Sequence, residues 1–309
     1  MNRKELNKTE LDSLSQLRAE GATVEDRMVS TVEGVSLRVF TFTPPADHGN
    51  PVVLFIGGWI TQISAWKIVL REMTKDFKVI YVETREKISS RVEINTNYGV
   101  EEIAEDIVRL VEWLDIQSEQ FVFFGSSLGA TAIIESYRLL KRKPLAMVLV
   151  GPNAVFRVPR IWKLIVTLFY PPLYALVKPP AKWYLKTFRL DVQTDRDQYE
   201  KYCSAIDAAD PWKLKKAVLA VAKYSVWNRL ASLDCPVLLV DASKDRLHEP
   251  ENLRKMESMI PKVTKIDLGT NKETHSEKVV HEFRKFVSGL QRAKEPPSLR
   301  GRNDRSNLN

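Results

Sequence analysis

Residues 121–130 read FVFFGSSLGA: four strand formers, a glycine, two adjacent serines, a leucine, a second glycine and an alanine. The apolar run ahead of the first glycine suits a strand buried on both faces of a sheet. The segment behind it, LGATAIIESYRLLKR (128–142), spaces its apolar residues near the helical period. A strand passing into a helix through Gly-Ser-Ser-Leu-Gly holds one serine at a sharp, strained turn. Positions two residues to either side of that serine must be small to avoid clashes. Ser127 has Gly125 and Gly129 there, whereas Ser126 has Phe124 and Leu128. Ser127 is therefore the candidate nucleophile. A helix opening just after it aims its first amides at the place where an oxyanion would form.

Outward from this turn the chain alternates strands and helices. VVLFI (52–56), KVIYV (78–82), LAMVLV (145–150) and PVLLV (236–240) are short runs apolar on both sides. Residues 28–43 alternate apolar and polar around Glu33-Gly34, a hairpin pattern. Ile103, Ile107, Leu110, Val111 and Leu114 share a helix face, and residues 279–290 repeat the pattern in a last helix. The alternation predicts a three-layer α/β domain with a mostly parallel sheet and right-handed crossovers. It breaks between Pro152 and Leu233, where proline-interrupted helices replace the strands. The predicted organisation is an N-terminal helical extension (1–25) with Leu11, Leu14 and Leu17 on one face, and a core from 26–151 and 234–291. A helical cap (152–233) is inserted after the sixth strand, and 292–309 form a disordered tail.

With 309 residues and 44% hydrophobic content, the chain can bury a full core. A net charge of +8 fits solvated lysines or an anionic surface, but no basic run lies on a nucleic-acid motif. Two cysteines, Cys203 and Cys235, give neither metal-ligand spacing nor a disulfide framework. With no apolar leader and no spanning segment, the expected location is cytoplasmic.

A nucleophilic serine needs a base, and four histidines are available. His48 lies in a polar loop and His281 inside the last helix. His275, in DLGTNKETHSEKVV, follows the last strand and precedes that helix. Loops at the carboxyl ends of parallel strands converge on one crevice, where Ser127 also sits. The third member should be a carboxylate that orients the imidazole. VDASKDRLHEP offers Asp241, Asp245 and Glu249; Asp245 stands far enough beyond its strand to reach the crevice, while Asp241 could instead brace the strand end.

The order Ser…Asp…His, the GSSLGA turn and CPVLLVDASKD together resemble the α/β-hydrolase superfamily, esterase- or lipase-like with a helical cap, over residues 26–290. The resemblance implies a cofactor-independent Ser127–His275–Asp245 triad, with Ala242 at the small position three residues before the acid. It further implies an oxyanion hole from the Leu128 amide and that of Trp59 or Gly58, counted back from Trp66. The chain departs from the family at Ile56, where His-Gly is usual, and in ETREKISS (83–90), which keeps Glu83, Arg85 and Ser90 but lacks two glycines.

Residues 152–190 carry seven basic residues and no acid, around the apolar stretch LIVTLFYPPLYALV. Trp162, Phe169, Tyr170, Tyr174, Trp183 and Tyr184 are candidates for the wall of an apolar substrate pocket. The same segment could rest on an anionic membrane surface. The expected substrate is a small-molecule carboxylic ester with apolar acyl or alcohol groups. Two alternatives stay open: thioester, lactone or C–C bond hydrolysis by the same triad, and a non-catalytic scaffold that binds a ligand or membrane.

Overall fold

The computed structural model describes residues 13–294 except 115, 117–120, 157, 159, 191, 193–194, 223 and 245–249. The hairpin forms from β1 (Thr23–Val32) and β2 (Val35–Thr43), paired antiparallel from Thr23↔Thr43 to Val32↔Val35. Gly34 turns the chain at φ 72°, a left-handed conformation glycine adopts without steric cost. Pairing starts at Thr23, so the extension expected through residue 25 ends sooner. One side of β2 supplies β1 with ladder partners along its whole length. Of the predicted N-terminal stripe, Leu14 and Leu17 are buried against Phe40, Phe42 and Met73, and Leu11 lies outside the described residues.

The remaining strands are β3 (Val52–Ile56), β4 (Val79–Glu83), β5 (Arg91–Val92), β6 (Phe121–Ser126), β7 (Ala146–Val150), β8 (Val237–Asp241) and β9 (Val263–Asp267). Among the described residues they make one sheet, ordered β1-β2-β4-β3-β6-β7-β8-β9, with β5 on β2. Pairing is parallel from β4 through β9 and antiparallel at β2. β5 is two residues long and carries no readable period, so the helical insertion enters after the seventh strand rather than the sixth.

Period two decides which side chains reach which layer. Phe121 and Phe123 of β6 join one core with Val52, Leu54 and Ile56; Val122 and Phe124 join the other with Val53 and Phe55. The first core is covered by α2 (Val100–Trp113), α3 (Leu128–Tyr137) and α8 (Pro250–Met259). The second is covered by α1 (Lys67–Met73) and α10 (Glu277–Lys294). The tail expected from 292 begins inside α10, and residues 295–309 lie outside the described set. This is the expected three-layer α/β architecture.

The retained residues of ETREKISS act as ties. Buried Arg85 donates to Asp106 Oδ2 at 2.7 Å and to the carbonyls of Asn97 and Glu102. Ser90 Oγ donates to the Glu83 carbonyl at 2.6 Å and accepts from the Arg38 amide. A buried guanidinium with three acceptors fixes the loop after β4, a task that does not require the absent glycines.

Between β7 and β8 lie α4 (Arg160–Leu168), α5 (Tyr174–Tyr184), α6 (Arg196–Ala208) and α7 (Pro211–Val221). Asp195 caps α6 by accepting from the Gln198 amide, and Asp210 caps α7 just ahead of Pro211. Lys213 Nζ ties α7 to the loop after β4 through the carbonyls of Lys87 and Ser90. Where the insertion returns to the core, Tyr224 and Arg229 both donate to the fully buried Glu135 of α3 at 2.7 Å. Among the described residues no helix is long and apolar enough to cross a membrane.

Candidate active site

Ser127 joins β6 to α3 with φ 51° and ψ −119°. A non-glycine residue held there is strained, and the surroundings enforce it. Its amide donates to the Val150 carbonyl at 2.9 Å, and its carbonyl accepts from the Thr131 amide at 3.0 Å. The flanking glycines are steric necessities. A Cβ on Gly129 would overlap the carbonyl oxygens of Ile56 and Gly57, and one on Gly125 would stand 2.9 Å from Ala130 Cα. Leu128 opens α3, so its amide belongs to the first turn, which lacks intrahelical acceptors.

The loop after β3 lies against this turn. A Cβ on Gly58 would stand 3.5 Å from Ser127 Cβ. Among the described residues the non-glycine positions with positive φ are Ile60, at 48°, and Ser127. A β-branched residue in that region is a clear outlier, and it falls one residue beyond Trp59. Behind the loop, Lys87 is buried with its Nζ close to Gly57. Burial pushes the nearby Glu83 carboxyl up, and the Lys87 charge pulls it the other way.

His275 follows α9 (Asn271–Thr274), whose start is capped by Thr270. Its Nδ1 lies 3.0 Å from the Asn271 carbonyl oxygen and 3.1 Å from Thr274 Oγ1. A carbonyl only accepts, so Nδ1 is the donor in that contact. The ring stacks on Trp66 at 4.1 Å between centroids and 23° between planes. Trp66 is buried and packs against Phe55 and Phe124 of the central strands, so the sheet itself braces the imidazole. An indole face also favours the imidazolium form.

Asp245 lies outside the described residues. Asp241 ends β8 with its carboxylate 3.3 Å from Lys265 Nζ and its carbonyl accepting from the Leu268 amide at 3.0 Å. It braces the strand end, the second of the two roles open to it from sequence.

Asn153 belongs to no sequence motif. Its Nδ2 donates to Ser127 Oγ at 2.8 Å, while its amide and carbonyl both engage Thr131 Oγ1. Its position three residues past β7, at the same carboxyl end as the serine turn, was the available signal.

A cavity of about 250 Å³ adjoins His275, walled by Trp59, Gln62, Asn271 and, from α6, Gln198, Lys201 and Ala205. The predicted aromatic wall is displaced. Tyr170, Trp183 and Tyr184 are exposed, Phe169 is half-buried, and the side chain of Trp162 lies outside the described residues. Tyr174 is buried, but its hydroxyl donates to the Ile206 carbonyl at 2.9 Å. That bond and the Lys182–Asp207 ion pair at 2.6 Å stack α5 on α6, the helix that lines the cavity.

No family model and no curated protein sequence matches the chain. Solved structures do. A thermophilic esterase from Thermogutta terrifontis is 19% identical, with 86% of this chain and 99% of that chain covered and a TM-score of 0.69. An esterase, RhEst1, from Rhodococcus sp. ECU1013 is 16% identical over 86% and 99% of the two chains, at 0.67. An enol-lactonase from Burkholderia xenovorans LB400 is 17% identical over 86% and 100%, at 0.66.

Proposed function

The chain has the α/β-hydrolase fold, and from that premise we propose that it is a serine hydrolase of carboxylic esters carrying apolar acyl or alcohol groups. The observation that carries the reading is Ser127 itself, held at positive φ between a central strand and a helix by glycines whose replacement the backbone excludes. The esterases and the lactonase similar in structure support acyl chemistry on this scaffold.

In the proposed mechanism Ser127 Oγ attacks the ester carbonyl as His275 Nε2 takes its proton. The Nδ1–H tautomer held by the Asn271 carbonyl suits that role. Asn153 occupies one acceptor lone pair of Oγ, which leaves the hydroxyl proton free to be donated to the base. The tetrahedral oxyanion is held by the Leu128 amide and that of Trp59 or Gly58. It collapses as the C–O bond breaks and the imidazolium protonates the leaving alcohol. Water then attacks the acyl-enzyme by the same route in reverse and releases the acid. Asp245 and the Trp66 face stabilise the imidazolium in both halves.

The test is labelling by a fluorophosphonate probe. The wild type should label and Ser127→Ala should not, with ester turnover falling by roughly 10⁴ or more. Labelling that survives the substitution would sink the assignment.

A further inference from the structure

Twelve of the seventeen large apolar side chains exposed among the described residues lie between Ile161 and Trp212, so they form a regional feature rather than scatter. Their spacing is regular. On α4, Ile161, Leu164, Ile165 and Leu168 recur at i, i+3, i+4 and i+7, and all are exposed, Leu168 to 75%. On and just before α5, Leu173, Leu176 and Val177 continue at the same spacing to Trp183 and Tyr184, with Leu176 72% exposed. Tyr170, between the helices, meets exposed Trp212 edge-on at 6.4 Å and carries the surface onto α7. Two amphipathic helices thus turn their apolar stripes to solvent. Their opposite sides are occupied: α4 packs on α7, and α5 packs on α6. An exposed apolar face of this extent marks an interaction surface.

The charges identify the occupant. From Pro152 to Leu190 there are seven basic residues and no acid. Lys178 and Lys182 are tied back to Asp207, at its carbonyl and its carboxylate. Arg160 and Lys186 are exposed with no acidic partner among the described residues. Short apolar stripes with aromatic residues among them and basic residues at their margins match the make-up of helices that lie in a bilayer interface. We propose that the outer face of α4 and α5 docks on an anionic lipid bilayer, the stripes entering the headgroup boundary and Arg160 and Lys186 meeting lipid phosphates. The proposal does not depend on catalysis.

Flotation with phosphatidylcholine vesicles, with and without phosphatidylglycerol, tests it on the full chain. Wild type and Ser127→Ala should both float with the anionic vesicles and much less with phosphatidylcholine alone. Leu164→Glu/Leu168→Glu/Leu176→Glu should partition at least about tenfold more weakly. Arg160→Glu/Lys186→Glu should lose the preference for the anionic lipid. These side chains are exposed, so melting temperature confirms that the variants fold. Equal flotation of wild type and the triple-glutamate variant overturns the proposal, as does equal affinity for both vesicle types. A wild-type dimer that ignores vesicles and dissociates on the same substitutions assigns the face to a second copy and also overturns it.

Discussion

The surroundings of Ser127 and the outer face of the inserted helices treat apolar side chains in opposite ways. Around the serine, β3, β6 and β7 are buried on both sides, and a backbone carbonyl fills the space that a methyl at Gly129 would need. On α4 and α5, isoleucines and leucines at helical spacing face solvent. The core is constrained by what surrounds it, and the cap surface is free to meet something else. Glu135 stands where the two regions join: it belongs to the helix that follows Ser127 and receives Tyr224 and Arg229 from the returning insertion.

Substitutions can break that contrast. The largest effect is expected at the serine turn: Gly129→Ala should destabilise by about 3 kcal/mol or more and abolish probe labelling, because backbone must move. The same change at Gly289, exposed in α10 with nothing near a new Cβ, should stabilise by about 1 kcal/mol. Chemical denaturation of both variants checks the pair, and similar losses at the two sites would erase the distinction.

The junction comes next. Burial alone would raise the Glu135 carboxyl, but hydrogen bonds from Arg229, Tyr224 and Arg138 hold it below the ordinary value of 4.5. A depressed folded-state pKa contributes stability that is present above the unfolded value and lost as pH falls through the folded one. Glu135→Gln should therefore cost about 2 kcal/mol at neutral pH, with the gap to wild type closing below pH 4.5. Urea titrations across pH measure it; a gap that widens in acid would contradict the assigned charge.

The smallest effect belongs to the cap. Leu164→Glu should leave stability in the absence of lipid within about 0.5 kcal/mol of wild type, since its side chain is 55% exposed. A loss of several kcal/mol would mean that the stripe is covered within the chain.

Much of the core is legible in the residues because its signals are local. Apolar runs of strand length, helical repeats and glycines at fixed offsets from Ser127 each describe a few neighbouring positions. The two-residue β5 and the onset of pairing at Thr23 are less legible, since both depend on what the neighbouring strand offers. The loop of His275 is legible, but its setting is not: its Nδ1 lies against the Asn271 carbonyl and Thr274 Oγ1, and its platform, Trp66, is brought to it by the sheet. Asn153 carries no motif of its own and acquires a role only because β7 ends beside β6.

The cap marks the boundary most clearly. Its amphipathic helices, its basic excess and its lack of acids can be read from the chain, because periodicity and charge are properties of order along it. Which way the apolar stripes face cannot, because helical spacing defines a face without saying what that face meets. Tertiary contacts decide it: the Tyr174 hydroxyl on the Ile206 carbonyl and Lys182 on Asp207 hold α5 against α6, and Tyr170, Trp183 and Tyr184, expected to wall the substrate cavity, lie on the outside instead.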